Sequence, residues 1–291
     1  MGEFFSIACA AVWALAVVLF RRSGETLPAF ELNLFKNVLA TVLMGATVLL
    51  LGQSPLPAFT AGEWLIVLGS GVVGIAIADT WYLRALNLMG AARTGITASL
   101  FSPFVVVLSA LFLGERLRGW QFAGFVVVLA GIVLVNWRSR RIDVSARAIR
   151  LGVFYGSAAV LMMAIGIVMV KPILEGEHFF ATAALRLGAG SAAMLAFVAV
   201  TGTWKPVVAR YRRPQPWPTI VFASVLASYL SMLLWLGGYR LAPASVASVL
   251  NETAAAFIVL FAWWMLSEPL SARRLAGVGL TFAGVSMILV L

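Results

Sequence analysis

Four formal charges stand well inside long apolar runs of this sequence: Lys36, Asp79, Arg186 and Glu252. On insertion scales each costs roughly 2.5–3.5 kcal/mol at the centre of a membrane helix, so four unpaired charges would cost on the order of 10 to 14 kcal/mol. They are therefore expected to face inward. Two are positive and two negative, which permits pairing across a helix bundle or around a water-filled cavity. Asp79 shares a helical face with Ile75 and Tyr82, and Glu252 with Ser245 and Ser248, by helical spacing. Carboxylates placed this way can bind a substrate ammonium or carry a coupling proton; the alternative is a buried ion pair that fixes helix register. Lys36 and Arg186 each lie about seven residues into their runs and can hold a substrate carboxylate. Long basic side chains also snorkel, and seven residues at 1.5 Å each place them only ~10 Å deep. Arg84, at the end of its run, reads as an interfacial anchor or a partner for Asn87.

The elements that must position these groups follow from composition. Of 291 residues, 62% are hydrophobic and 11% charged, and the mean hydropathy is +1.01, against about 45–50% apolar and about 25% charged in a soluble domain. Within lipid only helices and closed barrels satisfy the backbone. Runs of about 18 to 24 apolar residues exclude a barrel built from ~10-residue alternating strands. The chain is an all-α membrane protein. Ten spans are predicted, approximately 4–20, 29–51, 64–86, 91–113, 120–137, 151–170, 179–201, 218–241, 244–266 and 274–291, with short connections. The first has Glu3 before it and Arg21 and Arg22 after it, the reverse of a cleaved signal peptide.

Other chemistries lack residues to carry them. Cys9 is the one cysteine and His178 the one histidine, so no disulfide, redox pair or multi-histidine metal site is expected. The net charge of +10 comes from short basic clusters between spans, which argues against nucleic acid. No P-loop lysine, HExxH or nucleophile elbow is present, so neither an enzyme nor an ATP-driven pump is expected, and no cofactor or metal. Gly69-Ser70-Gly71-Val72-Val73-Gly74 spells a dinucleotide fingerprint inside an apolar run, where Ser70 and Gly74 read as a helix-packing pair. Asn251-Glu252-Thr253 spells a glycosylation sequon that a span buries.

Loops after odd-numbered spans carry fourteen cations: Arg21, Arg22, Arg93, Arg138, Arg140, Arg141, Arg147, Arg150, Lys205, Arg210, Arg212, Arg213, Arg273 and Arg274. Loops after even-numbered spans carry four: Arg116, Arg118, Lys171 and Arg240. The positive-inside rule makes the odd-loop side cytoplasmic and both termini periplasmic. Trp64, Trp120, Trp137 and Trp217, at span ends, read as interfacial belt residues. Pro103 with Thr94, Thr97, Ser99 and Ser102 predicts a kinked fourth span. Ala244, Ala247, Ser248 and Asn251 form a similarly small, polar strip on the ninth, and these two spans are the expected moving elements.

The chain also matches itself. At a shift of 153, Gly114-Glu115-Arg116-Leu117 falls on Ser267-Glu268-Pro269-Leu270, Gly124 on Gly277, Gly131 on Gly284, Tyr82 on Trp235 and Trp64 on Trp217; at 150, Lys36 meets Arg186 and Arg21 meets Lys171. Five spans per copy is an odd number, so the copies enter the membrane from opposite sides. The expected fold is ten transmembrane helices as two inverted-topology five-helix repeats, divided at 1–148 and 149–291, with a substrate site near the midplane between them. Glu115 and Glu268 precede the last helix of each copy and read as structural partners of a helix N-terminus.

Both copies of the Gly/Ser-Glu-x-Leu turn with its Gly-rich final helix, together with Tyr82-Leu83-Arg84-Ala85-Leu86 and Ser102-Pro103, resemble the EamA-type family of drug/metabolite transporters. The second copy departs from the pattern at Ser267, at Ala256 in place of the intramembrane proline, and at Asn251 and Glu252. The resemblance implies a secondary transporter in a bacterial inner membrane, exporting small amphipathic or zwitterionic metabolites, amino acids foremost, by alternating access. It also implies that Trp13, Tyr82, Trp235 and Tyr239 lie on cavity-lining spans, where rings can stack on an apolar or cationic substrate. With the charged and polar candidates, the substrate-binding set is Trp13, Lys36, Asp79, Tyr82, Ser99, Arg186, Trp235, Tyr239, Asn251 and Glu252. Partners are a small-molecule substrate and the lipid bilayer, with proton coupling, in a monomer or homodimer. The alternatives are an exporter of cationic drugs or other metabolites and, in a different class, a passive channel or lipid scramblase.

Overall fold

A computed structural model describes residues 1–22, 27–89, 91–136, 145–176, 178–267 and 270–290. The described residues are helical, without strands. Helices α1 (Gly2–Arg22), α2 (Ala29–Leu50), α3 (Ala61–Gly71), α4 (Ala78–Met89), α5 (Ala91–Ala98), α6 (Phe101–Phe112) and α7 (Gly119–Asn136) form the first repeat. The second comprises α8 (Ala146–Leu174), α9 (Phe179–Val200), α10 (Trp204–Tyr211), α11 (Trp217–Ser224), α12 (Ser231–Leu241), α13 (Ala244–Asn251), α14 (Ala254–Leu266) and α15 (Ala272–Val290). Among the described residues nine helical stretches are long and apolar enough to cross a membrane, and α7 supplies a shorter tenth over Gly119–Val135.

The repeat extends to local irregularities that composition does not announce. π-helical turns at Val72–Ile77 and Val225–Leu230 join α3 to α4 and α11 to α12, and a shift of 153 carries one onto the other. The same shift carries the break between α5 and α6 onto the break between α13 and α14. Pro103 accounts for neither break alone, because the second forms with Ala256 in that role. Hydroxyls do the common work: Ser99 Oγ donates to the Ile96 carbonyl at 2.7 Å and Thr253 Oγ1 to the Leu250 carbonyl at 2.7 Å. Backbone bonds at the ninth-span break tighten to i+3 spacing, Glu252 N to Val249 O and Thr253 N to Leu250 O. Competition of this kind for backbone carbonyls bends membrane helices.

Glycines allow the two repeats to meet. A Cβ on Gly131 would lie 2.8 Å from the Gly277 carbonyl oxygen, and one on Gly284 would lie 2.6 Å from that of Gly124. The shift of 153 turns the first contact into the second, as a two-fold axis between α7 and α15 requires. Thr41 and Ser191 are equivalent at a shift of 150, and their hydroxyls bond at 3.0 Å across the same axis. In the dinucleotide look-alike the close approach is at Gly71, packed on the Arg186 backbone, rather than at Gly74 as its spacing suggested.

Two cross-repeat ties depart from the sequence expectations. Lys171, counted above as a loop cation, is buried inside the last turn of α8. Its Nζ donates to Glu175 Oε1 (2.6 Å) and to the carbonyls of Tyr239 (2.7 Å) and Ala242 (3.0 Å), and lies 4.0 Å from Glu115 Oε1. Glu115 does serve a helix N-terminus, but that of α13 in the other repeat: it accepts from Ala244 N (2.8 Å), Ser245 N (3.0 Å) and Ser245 Oγ (3.0 Å). Glu268, Trp137 and the cations Arg138, Arg140 and Arg141 lie outside the described residues. On the odd-loop side, α10 was not anticipated. It is a surface helix whose Val207 is buried and whose Arg210 pairs with buried Glu31 of α2. Tyr211 donates to the Glu31 carbonyl at 2.7 Å, and burial beside Glu31 raises its phenol above the ordinary range. Trp217, expected in the interfacial belt, packs its ring 5.1 Å from that of Phe35.

Gly277→Ala places a Cβ 2.8 Å from the Gly131 carbonyl oxygen and 2.9 Å from the Val135 nitrogen, so about 1–3 kcal/mol of stability is expected to be lost. Gly279→Ala on the same helix meets nothing within 4 Å and is expected to leave stability unchanged or slightly raised. Unfolding in mild detergent compares the two. Glu115→Ala removes the cap of α13, worth about 1 kcal/mol, and amide exchange in the first turn of α13 is expected to rise roughly fivefold.

Candidate functional site

The charged candidates gather in two places related by the internal repeat. In the odd-loop half, Lys36 Nζ lies 3.7 Å from Asp79 Oδ2 and 5.7 Å from the centre of the Trp13 ring. Asn37 Nδ2 donates to Asn33 Oδ1 at 3.1 Å, so a polar string of Asn33, Lys36 and Asn37 runs along α2. Lys36 and Asp79 keep side-chain exposures of 15% and 25%, and Trp13 is 38% exposed.

The even-loop pair is buried. Arg186 is 3% exposed and Tyr239 fully buried, beneath the Lys171 network that holds the Tyr239 carbonyl. The Arg186 guanidinium lies 6.0 Å from the centre of the Trp235 ring. Trp235 in turn packs 5.2 Å from Tyr239 and 6.5 Å from Phe101. Arg186 Nε, Arg186 Nη1 and the Tyr239 hydroxyl are buried without a hydrogen-bond partner.

Glu252 links the halves. It occupies the break between α13 and α14, and Ser102 Oγ, one residue into α6, donates to its Oε1 at 2.5 Å. The breaks of the fourth and ninth spans thus meet near the axis, where backbone irregularity is tolerated only if it lines protein or water. Both Tyr82 and Tyr239 lie within electrostatic reach of the Glu252 carboxylate, and Tyr82 within reach of Asp79 as well.

Two of the candidate residues spend their polar groups at home. Ser99 bonds the Ile96 carbonyl, and Asn251 Nδ2 donates to the Ala247 carbonyl at 2.8 Å, so neither bonds another candidate in this form. Ile75 was expected on the face of Asp79 and Tyr82. It lies within the π turn and packs against Gly190 of α9. Arg84 lies over the Tyr155 ring at 4.6 Å and lines a crevice of ≈ 470 Å³ with Asn87, Glu31 and Arg210. Sequence reasoning left Asn33 and Ser102 outside the binding set. Signals existed for both: Asn33 is polar and three residues from Lys36 within an apolar run, and Ser102 precedes the intramembrane proline.

Known proteins agree with this architecture. The model of the EamA-like transporter family matches residues 1–137 and again 150–290. An uncharacterized transporter of Archaeoglobus fulgidus is 23% identical over 94% of this chain and 92% of its own length. The pseudopaline exporter CntI of Pseudomonas aeruginosa is 29% identical over 136 residues, 46% of each chain. A solved crystal structure superposes with a TM-score of 0.79 at 19% identity, covering 98% of this chain and 94% of that one, a likeness of fold. With both repeats matched, the chain belongs to the EamA-like transporter family.

Proposed function

We propose that this transporter is a secondary exporter of small amphipathic or zwitterionic metabolites, amino acids first among them, in a bacterial inner membrane. The single observation that carries this reading is the placement of Glu252 at a helix break, bonded to Ser102 of the other repeat beside the two-fold axis. A carboxylate there faces the interior of the bundle and touches both halves that alternating access must move. Lys36 with Asp79 supplies a second pair of ionisable groups on the odd-loop side, a route for a coupling proton.

Orientation follows from the loop charges: the odd-loop side is cytoplasmic and both termini are periplasmic. The partly exposed Trp13, Lys36 and Asp79 then lie toward the cytoplasm and the buried Arg186 toward the periplasm. Similarity to an exporter lends the direction. A purely cationic substrate is the competing reading, favoured by Glu252 with the rings of Tyr82 and Tyr239 in its field.

Flux of amino acids and of organic cations into liposomes carrying the purified protein, with and without a pH gradient, tests these readings. Saturable, gradient-dependent amino-acid flux is expected. Linear flux would mark a passive channel, and lipid flipping in substrate-free liposomes a scramblase; either overturns the proposal. Glu252→Gln is expected to cut gradient-driven flux at least about tenfold, the loss of one charged hydrogen-bonding partner. Asp79→Asn leaves Lys36 without its counter-charge and is expected to lower folded yield. Adding Lys36→Gln restores yield but not transport, which separates a coupling role from a structural one.

A further inference from the structure

The crevice of ≈ 470 Å³ on the odd-loop side has two unlike walls. Spacing of i, i+4 and i+7 puts Thr80, Arg84 and Asn87 on one face of α4, where they make the polar wall. The apolar wall is Phe30 of α2 and Phe197 of α9, whose rings pack 5.8 Å apart. Glu31 and Arg210, also in the lining, form an ion pair, so their charges cancel and that of Arg84 remains. The Arg84 guanidinium lies over the Tyr155 ring of α8 at 4.6 Å, which holds it in place without neutralising it. No described carboxylate lies within salt-bridge distance of it.

The surroundings place this crevice at the edge of the bilayer. α9 ends in Phe197, 57% exposed, and Val200, 88% exposed. In α10, Trp204 and Val208 stand one turn apart and remain exposed, whereas Val207 is buried in the crevice wall. Exposed Lys205, Arg212 and Arg213 accompany them. Large apolar groups beside exposed cations on a short surface helix mark a helix lying in the membrane interface. A second groove, of ≈ 390 Å³ between α2, α3 and α9, has Thr41 as its polar lining residue and no charged one, so it has nothing to offer the charge of a headgroup.

We propose that the crevice between α4 and α10 is a binding site for an anionic phospholipid, whose phosphate pairs with Arg84 beside Asn87 and whose acyl chain lies along Phe30 and Phe197. The planar guanidinium fork matches two phosphate oxygens, and a basic pocket between spanning helices suits an anionic headgroup. A free phosphate would leave both phenyl rings uncovered. A phosphocholine headgroup would bring its own cation beside a charge that is already in excess. Since α2 and α4 belong to the first repeat and α9 and α10 to the second, the lipid bridges the repeats on the side opposite the Lys171 and Glu115 ties.

Binding of phosphatidylglycerol and phosphatidylcholine to the delipidated full chain in mild detergent, read by native mass spectrometry, tests the site. Thermal unfolding with each lipid, and with inorganic phosphate, gives a second readout. Phosphatidylglycerol is expected to bind at least about fivefold tighter than phosphatidylcholine of the same acyl chains, the scale of one cation at a membrane surface. It is expected to raise the unfolding temperature, which inorganic phosphate leaves unchanged. Arg84→Gln is expected to bring the ratio of the two lipids close to one and Arg84→Lys to keep part of it. Arg118→Gln, which removes a cation stacked on Trp120 on the even-loop side, is expected to keep all of it. Phe197→Ala is expected to weaken both lipids alike. Unfolding of the lipid-free variants reports damage to the fold separately. Equal binding of the two lipids by the wild type, a preference unchanged in Arg84→Gln, or stabilisation by inorganic phosphate equal to that by phosphatidylglycerol overturns the proposal.

Discussion

Charge inside a lipid-embedded bundle must be answered by other charge, by hydrogen bonds or by water, and the arrangement of the whole protein turns on how each case is met. Lys36 is answered by Asp79, Lys171 by two carbonyls and a carboxylate, and Glu31 by Arg210 and Tyr211. Each answer comes at least in part from a different helix, so each also fixes where two helices stand. Arg186 and Glu252 are exceptions, one with two nitrogens buried and unbonded beside the Trp235 ring and the other held by a neutral hydroxyl. Leaving a guanidinium unsatisfied costs free energy that other contacts must offset. The glycine-tight seam of α7 on α15 and the backbone approach of Gly71 to Arg186 are where such packing is found.

Inverted repeats bring two consequences. Equivalent residues meet only at the axis, as Thr41 and Ser191 do, so positions there interact with near copies of themselves. A carboxylate at the break of both spans would set like charges side by side; Ser99 stands at the first break where Glu252 stands at the second, and repulsion is avoided. Away from the axis the repeats diverge freely: a shift of 153 sets Met232 where Asp79 stands, and no described carboxylate answers Arg186 as Asp79 answers Lys36. The departures at Asn251 and Glu252, which loosen the family likeness of the second copy, fall at the axis.

Bilayer thickness dictates runs of apolar residues, which is why the spans, their number and the repeat were legible in the sequence before any coordinates. Helix breaks were half legible. Pro103 advertises the fourth, whereas the ninth arises from Ser and Thr hydroxyls taking backbone carbonyls, a competition that leaves no single-residue mark. The π turns left no mark at all. Contacts at long range were least accessible: nothing near Glu115 indicates that it caps α13 of the other repeat, and Lys171 looked like any loop cation because its carbonyl partners lie about 70 residues away. Within the site, the charge types were evident and the pairing was not, since four charges of zero sum admit more than one matching.

That zero sum acquires a different meaning once pairing is known. Four charges that cancel in two salt bridges would make a rigid, closed bundle with nothing to offer a ligand. One salt bridge, between Lys36 and Asp79, keeps the same total but leaves Arg186 and Glu252, among the described residues, without a salt bridge, with Trp235 beside the guanidinium and Ser102 on the carboxylate. In the even-loop half, Lys171 and Glu115 both bind backbone groups at the ends of α12 and α13. The groups they hold belong to the short stretch 239–245, which connects Trp235 to Glu252 along the chain. Displacing that segment would therefore disturb the Lys171 and Glu115 bonds and the position of Glu252 together, because all three are carried on or held by the same stretch of chain.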